Sequence, residues 1–154
     1  MNDNRWSMIA AAALAGLLAS GPAAAQFKDA EDATEYRQGA FHVMGNHFGR
    51  LGLMANGKIP YDAKAAEINA GIVATLSRLP WAAFLDGSDK GETDAKPEIW
   101  SQPEKFKSAA LKMQDEVAKL DAAAKTGNFD KFKAAFGEAG KACKACHDDF
   151  RKKH

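Results

Sequence analysis

The chain has 154 residues, 46% of them hydrophobic and 27% charged, with 21 basic against 20 acidic side chains and a formal net charge of +1. That length fits one ordinary domain, and so even a balance lacks the basic excess of a nucleic-acid-binding surface. Two cysteines are too few for a disulfide-stapled scaffold, and 13 glycines with 5 prolines are too sparse for a low-complexity or collagen-like chain.

Residues 1–25 read differently from the rest. Arg5 precedes the apolar run from Met8 to Ala19, Ser20-Gly-Pro22 breaks any helix, and Ala23-Ala-Ala25 supplies the small residues a signal peptidase requires. A basic start, a short apolar core and an A-x-A site make a secretory signal peptide. The run is too short to span about 30 Å of hydrocarbon as an anchor. The expectation is cleavage before Gln26, export, a mature domain of residues 26–154, and no membrane anchor in the mature form.

Four apolar patterns at helical spacing follow. The first runs through Arg37, Phe41, Met44, Phe48 and Leu51 and is expected to stop near Gly52. The second opens at Asp62, a good N-cap behind Pro60, carries Ile68, Ile72, Leu76 and Leu79, and ends at Pro80. The third starts with Ser101-Gln-Pro-Glu104, which reads as a capping box with an early proline. Its stripe is Phe106, Ala110, Met113, Val117, Leu120 and Ala124, closed by Gly127. The fourth begins at Asn128 and shows Phe129, Phe132, Phe136, Ala139, Cys143, Cys146 and Phe150. No stretch alternates with period two. The fold class expected is all-α, an antiparallel four-helix bundle.

The exception is Pro80 to Trp100, a long connection containing Gly87, Gly91 and Pro97. Its aromatic residues Trp81, Phe84 and Trp100 argue against disorder. It reads as an ordered crossover packed over one end of the bundle.

The informative segment is Cys143-Lys-Ala-Cys146-His147. C-x-x-C-H is the attachment pattern for c-type haem, in which each sulfur adds to one vinyl group and the adjoining imidazole meets the iron. Cysteines at i and i+3 share a helical face, as that chemistry needs. A structural zinc site would want four ligands, and His154 lies outside finger spacing. A thioredoxin-like pair would sit beside a βαβ unit, and a lone disulfide around so small a loop would add little stability. Because both cysteines continue the stripe of Phe129, Phe132 and Phe136, the haem is expected inside the bundle. Too few residues follow His147 for a downstream methionine ligand, so a sixth ligand would come from an earlier helix.

The chain resembles the cytochrome c′ family, the bacterial class II c-type cytochromes. The resemblance is carried by Tyr36-Arg-Gln38, His47-Phe-Gly-Arg50, Pro60-Tyr-Asp62, Leu79-Pro-Trp-Ala-Ala-Phe84, Pro97-Glu-Ile-Trp100 and the segment from Cys143 to Lys152, in that order. It covers essentially all of residues 26–154. It implies a periplasmic four-helix bundle, usually a homodimer, holding a five-coordinate high-spin haem c, with His147 as the proximal ligand and apolar side chains on the opposite face. It also implies that Arg37 and Gln38 contact the haem from the first helix, that Asp94 contacts it from the crossover, and that Arg151 lies beside the proximal imidazole. An arginine opening an apolar stripe wants an anion, and a propionate would serve; the residues alone also allow a surface arginine at a frayed helix start. Asp94 alone would read as a solvated turn residue, and Arg151 as a C-terminal charge offsetting the helix dipole.

The sixth position separates two functions. Low-spin relatives carry a methionine on the first helix where this chain has Phe41, which cannot ligate iron and would cap the distal face. Met44 and Met113 are the other possible ligands, both on apolar stripes where methionine usually packs. His42 and His47 lie off the main stripe and are expected exposed or at an interface. The expected function is binding of small diatomic gases, NO and CO, together with one-electron transfer to an unidentified periplasmic redox partner, and not enzymatic catalysis. Dioxygen carriage and peroxide cleavage lack evident polar groups near Phe41. The alternative is a six-coordinate low-spin electron carrier with a methionine ligand.

Overall fold

The computed structural model describes residues 26–153; the leader expected at residues 1–25 lies outside them. Four long helices, α1 (Ala30–Ala55), α2 (Ala63–Leu76), α4 (Pro103–Lys125) and α5 (Phe129–Phe150), form an all-helical bundle. Between α2 and α4 the chain makes a 3-10 turn at Pro80–Ala83 and a short helix α3 at Glu98–Ser101. Helix α1 packs on α2 and α5, and α4 on α2 and α5, closing the bundle. Among the described residues there is no strand, only one isolated bridge between Ala95 and Arg151. None of the described helices is long and apolar enough to cross a membrane.

The helix starts follow local chemistry. The Asp29 carboxylate accepts from the amides of Glu31 and Asp32, Asp62 from Lys64 and Ala65, and Asn128 from Lys131. Each satisfies amides that the helix leaves without intrahelical partners. The capping box expected at Ser101 does not form. Ser101 instead ends the α3 turn, and Gln102, the residue before α4, makes no side-chain cap. Pro103 opens α4 at a position whose amide the helix would leave without an intrahelical partner anyway. Gly127 at φ 66° ends the turn into α5, in the left-handed region where a Cβ is penalised.

Two further expectations are corrected. Helix α1 does not stop near Gly52 but runs on to Ala55, with Asn56 as its C-cap. The inward face of α2 is not the stripe Ile68, Ile72, Leu76 and Leu79. Ala66, Ala70 and Val73 are the buried positions, while Ile68 is 51% exposed. Small side chains let α2 lie close to its neighbours, so volume rather than hydrophobicity selects the packed face.

The core occupies one half of the bundle. Leu51, Val73, Val117, Leu120 and Phe132 are almost wholly buried there, with Ala66, Ala70, Ala124 and Ala139 between them. Phe48 and Phe136 stack at 4.6 Å between centroids beside this core. At the other half, framed by the first turns of α1, the crossover and the last turns of α5, side chains stand apart around a cavity.

Candidate functional site

The cavity has a volume of about 640 Å³. One wall is the end of α5, where Cys143, Cys146 and His147 open into it above Phe150 and Arg151. The facing wall is α1, with Arg37, Gln38, Phe41 and Met44. The crossover supplies the roof with Trp81, Phe84, Thr93 and Asp94, and α4 closes the floor with Phe106 and Met113. All eight residues singled out from the sequence as site residues (Arg37, Gln38, Phe41, Asp94, Cys143, Cys146, His147 and Arg151) thus border one space. Met44 and Met113 border it too. His47 does not: its Nδ1 meets Asn69 Oδ1 at 2.8 Å between α1 and α2. His42 is exposed, as expected, and stands at the cavity's α1 edge together with Asn46. The facing wall therefore has a polar flank beside its apolar centre.

Aromatic rings hold the roof together. Phe41 meets Trp81 edge-on at 5.9 Å and Phe84 at 6.4 Å. Phe106 joins Phe84 at 4.8 Å and Phe150 at 5.1 Å. The indole amines of Trp81 and Trp100 donate to the carbonyls of Ser77 and Leu85, at 2.7 Å and 3.0 Å. Such edge-to-face contacts and satisfied N–H groups make a rigid apolar surface. The crossover is thus ordered over one end of the bundle, as its aromatic content implied.

Arg37 is the least expected feature. It is 2% exposed, neither frayed nor on the surface. Its Nη1 donates to the Ala83 carbonyl at 2.9 Å and to Ser88 Oγ at 2.7 Å, and its Nη2 to the Ser88 carbonyl at 2.6 Å and Thr93 Oγ1 at 3.1 Å. The guanidinium carbon lies 4.7 Å from the centre of the Phe84 ring. Every acceptor is neutral, and among the described residues no carboxylate lies within ion-pair distance of Arg37. A buried cation beside the cavity is left without a counter-charge, and burial lowers its pKa. Next to it Gln38 Nε2 donates to the Glu92 carbonyl at 2.8 Å.

The other end of the crossover is tied to α5. The Lys96 amide donates to the Phe150 carbonyl at 3.0 Å and the Lys152 amide to the Asp94 carbonyl at 2.8 Å. Asp94 and Arg151 form an ion pair at 3.2 Å. Sequence reasoning missed Trp81 and Phe84 as cavity walls, although their presence in a loop was the available signal. It missed Ser88 and Thr93 altogether, since hydroxyls among turn residues carry no distinguishing mark.

Burial raises the Cys143 thiol above its ordinary value, and burial together with Cys143 and Asp149 pushes Cys146 up to about 11. Both sulfurs are therefore protonated at neutral pH, unlike the thiolates of redox pairs. Burial, then the charge of Arg151, lowers His147, against the opposing pull of Asp148. Its imidazole is neutral at neutral pH, the form that ligates metals. Among the described residues no group of three or more His, Cys, Asp or Glu is placed to hold a metal ion directly.

The donor set suits a large planar anionic group carrying its own metal. Two thiols and an imidazole share one wall, apolar rings face them, and a buried cation lacks an anion. A haem satisfies all three. The bundle and this site define a c-type haem protein built on four helices, as distinct from the familiar small cytochromes c.

A sequence model of the family described as Cytochrome C′ matches residues 32–151. The cytochrome c′ of Rubrivivax gelatinosus is 56% identical over 129 residues, covering 83% of this chain and 100% of that protein. Its crystal structure superposes with a TM-score of 0.80 at 55% identity, over 82% of this chain and 100% of that one. A nitric oxide complex of a point mutant of cytochrome c′ from Alcaligenes xylosoxidans gives a TM-score of 0.78 at 49% identity, over 84% of this chain and 100% of that one. A carbon monoxide-bound variant from the same organism gives 0.78 at 49%, over 83% and 100%. The chain belongs to the cytochrome c′ family, and haem c is its cofactor.

Proposed function

We propose that this protein is a periplasmic gas-binding and electron-transferring haem protein, with His147 on one face of the iron and the other face left free beneath Phe41. Cys143 and Cys146 would tether the porphyrin as thioethers. Arg37 and Gln38 would meet its propionates from α1, Asp94 would contact it from the crossover, and Arg151 would stand beside the proximal imidazole. Bound haem supplies an iron that accepts a small neutral ligand and exchanges one electron. The protein's residues hold that iron in a dry site and decide what reaches it.

The observation that carries this reading is the wall opposite His147, centred on Phe41 braced by Trp81 and Phe84. Phenylalanine offers no ligand atom. Met113 is 4% exposed within the main core, and Met44 packs against that core, so both are engaged in packing. Two nearby donors are engaged elsewhere: Trp81 bonds Ser77, and Asn46 Nδ2 donates to the His42 carbonyl at 2.9 Å. Such a face favours NO and CO, which need little polar support, over dioxygen. The NO and CO complexes of the Alcaligenes variants accord with it.

The deciding experiment is the absorption spectrum of the ferrous protein with and without CO. A high-spin spectrum that converts on adding CO is expected. A low-spin spectrum with a methionine charge-transfer band would replace this reading by that of a six-coordinate electron carrier.

The mature protein is further proposed to be exported by cleavage before Gln26 and to form a homodimer. The outward edge of α2 supports the dimer. Ile68 is half-exposed, Ile72 and Leu76 are only partly covered, and Val43 and Leu53 of α1 are 45% and 46% exposed. Aliphatic side chains left open on adjoining helices suit a self-complementary interface.

A further inference from the structure

The crossover is bonded to both walls of the cavity, and one residue joins them. Thr93 Oγ1 accepts from Arg37 Nη2 at 3.1 Å and from the Ala95 amide at 3.2 Å. The carbonyl of the same Thr93 accepts from the Lys152 ammonium at 2.9 Å. Its neighbour Asp94 receives the Lys152 amide at 2.8 Å and pairs with Arg151 at 3.2 Å. Arg37 precedes Phe41 by one helical turn, and the Arg151 amide donates to the His147 carbonyl at 3.0 Å. Hydrogen bonds and the Thr93–Asp94 peptide link therefore connect the turn carrying Phe41, through Arg37, Thr93, Asp94 and Arg151, to the turn carrying His147.

The other acceptors of Arg37 do not make this connection. Ala83 and Ser88 belong to the first part of the crossover, which bonds to α1, to the end of α2 and to itself. Among the described residues, it is at Thr93 that the segment held by α1 becomes the segment held by the end of α5. Thr93 is partly buried, and the cation it receives has no carboxylate to fall back on. Losing that acceptor leaves a buried donor unsatisfied, a cost larger than the bond itself contributes.

We propose that Thr93 is a positioning residue that couples the two faces of the haem site. Its hydroxyl fixes the helix that carries Phe41, and its carbonyl fixes the end of the helix that carries His147. A displacement of the His147 turn is passed through Arg151 and Asp94 to Thr93, where Arg37 transmits it to α1. The gas-binding face and the proximal face then move as one body. The proposal rests on the five-coordinate reading above.

The test is Thr93→Val in the haem-loaded protein, a change of similar shape that removes only the hydroxyl. Three quantities report on it: the CO association rate of the ferrous protein, the iron–histidine stretching band, and hydrogen exchange at the Lys152 amide. Thr93→Val is expected to speed CO association about fivefold, the scale of one hydrogen bond. It is also expected to shift the iron–histidine band and speed Lys152 exchange, and Thr93→Ser to restore all three. Lys152→Met, which removes the bond from α5's end to the Thr93 carbonyl and leaves Arg37 bonded, is expected to move the CO rate and the band in the same directions. Faster CO binding with an unmoved band would overturn the coupling, as would an unchanged CO rate. If the parent protein itself is low-spin or fails to bind CO, the functional reading falls. Unaltered Lys152 exchange in Thr93→Val would then still overturn the joint on its own.

Discussion

The ring of Phe136 stands directly against the backbone of Gly52: a Cβ added to that glycine would come within 3.1 Å of the ring's Cζ. The ring cannot easily withdraw, because it stacks on Phe48 at 4.6 Å and lies 6.4 Å from Phe132. Helices α1 and α5 therefore meet where one of them has no side chain. Gly52→Val is expected to destabilise the protein by about 1–3 kcal/mol through overpacking. The better helix propensity of valine, a few tenths of a kcal/mol, is too small to offset that. Urea denaturation followed by helical circular dichroism would measure it, and an unchanged midpoint would show that the ring yields freely.

That contact also marks where sequence reasoning stops. Gly52 was expected to end the first helix, because glycine is a common terminator, yet it lies within the last turn of α1 to admit Phe136. The caps Asp62 and Asn128 were legible because their side chains act on amides two or three residues away. The inward register of Cys143 and Cys146 was legible because helical periodicity carries it forward from Phe132. The packed face of α2 was not, since alanine against isoleucine is decided by the space between helices. Nor were the acceptors of Arg37 legible, for they are carbonyls and hydroxyls some fifty positions away, brought close only by the crossover.

Arg37 tests how far the crossover depends on one buried cation. Arg37→Met leaves the acceptors at Ala83, Ser88 and Thr93 without a donor and is expected to cost about 3 kcal/mol. Arg37→Lys keeps the charge but lacks the planar fork, so it should recover only part of that loss. The measurement is the urea midpoint of the haem-loaded protein. Equal stability of Arg37→Met and the parent would show that the crossover is held by its aromatic contacts alone.

Phe41 controls entry to the iron if the facing wall works as proposed. Phe41→Ala removes the ring that meets Trp81 and Phe84 and opens the wall opposite His147. CO association measured by flash photolysis is expected to rise about tenfold, equivalent to about 1.4 kcal/mol off the barrier. Unchanged kinetics would show that the gas reaches the iron by another side of the cavity.

Acid stability is set partly by carboxylates outside the site. The Lys112 hydrogen bond, then that of Lys119, holds Glu116 below its ordinary value of 4.5. Lys119 does the same for Asp115 and Lys144 for Asp148, while the Asp32 amide lowers Asp29. A carboxylate whose pKa is depressed in the folded state binds protons less readily there than in the unfolded chain. Its contribution is therefore full above the unfolded value and is lost as pH falls through the folded one. The thermal midpoint should fall progressively from about pH 5 downward, and Glu116→Gln should flatten part of that fall while lowering the midpoint at neutral pH. A midpoint in Glu116→Gln that follows the parent's pH curve would remove Glu116 from the account.

The outward edge of α2 gives the proposed dimer its test. Ile68 is 51% exposed although its helix buries alanines, which leaves the larger aliphatic group open to the proposed interface. Nearby Ile72 and Leu76 are partly covered, and Glu67, Asp121 and Lys125 line the same groove toward α4. A glutamate at position 68 would sit exposed in a monomer at little cost, but would be desolvated without a partner if a second copy covered it. Ile68→Glu is accordingly expected to leave the thermal midpoint of dilute protein nearly unchanged. In sedimentation velocity at high concentration it should shift the protein from dimer to monomer. Sedimentation of the parent as a monomer at every concentration, or of Ile68→Glu as an unaltered dimer, would place the interface elsewhere or remove it.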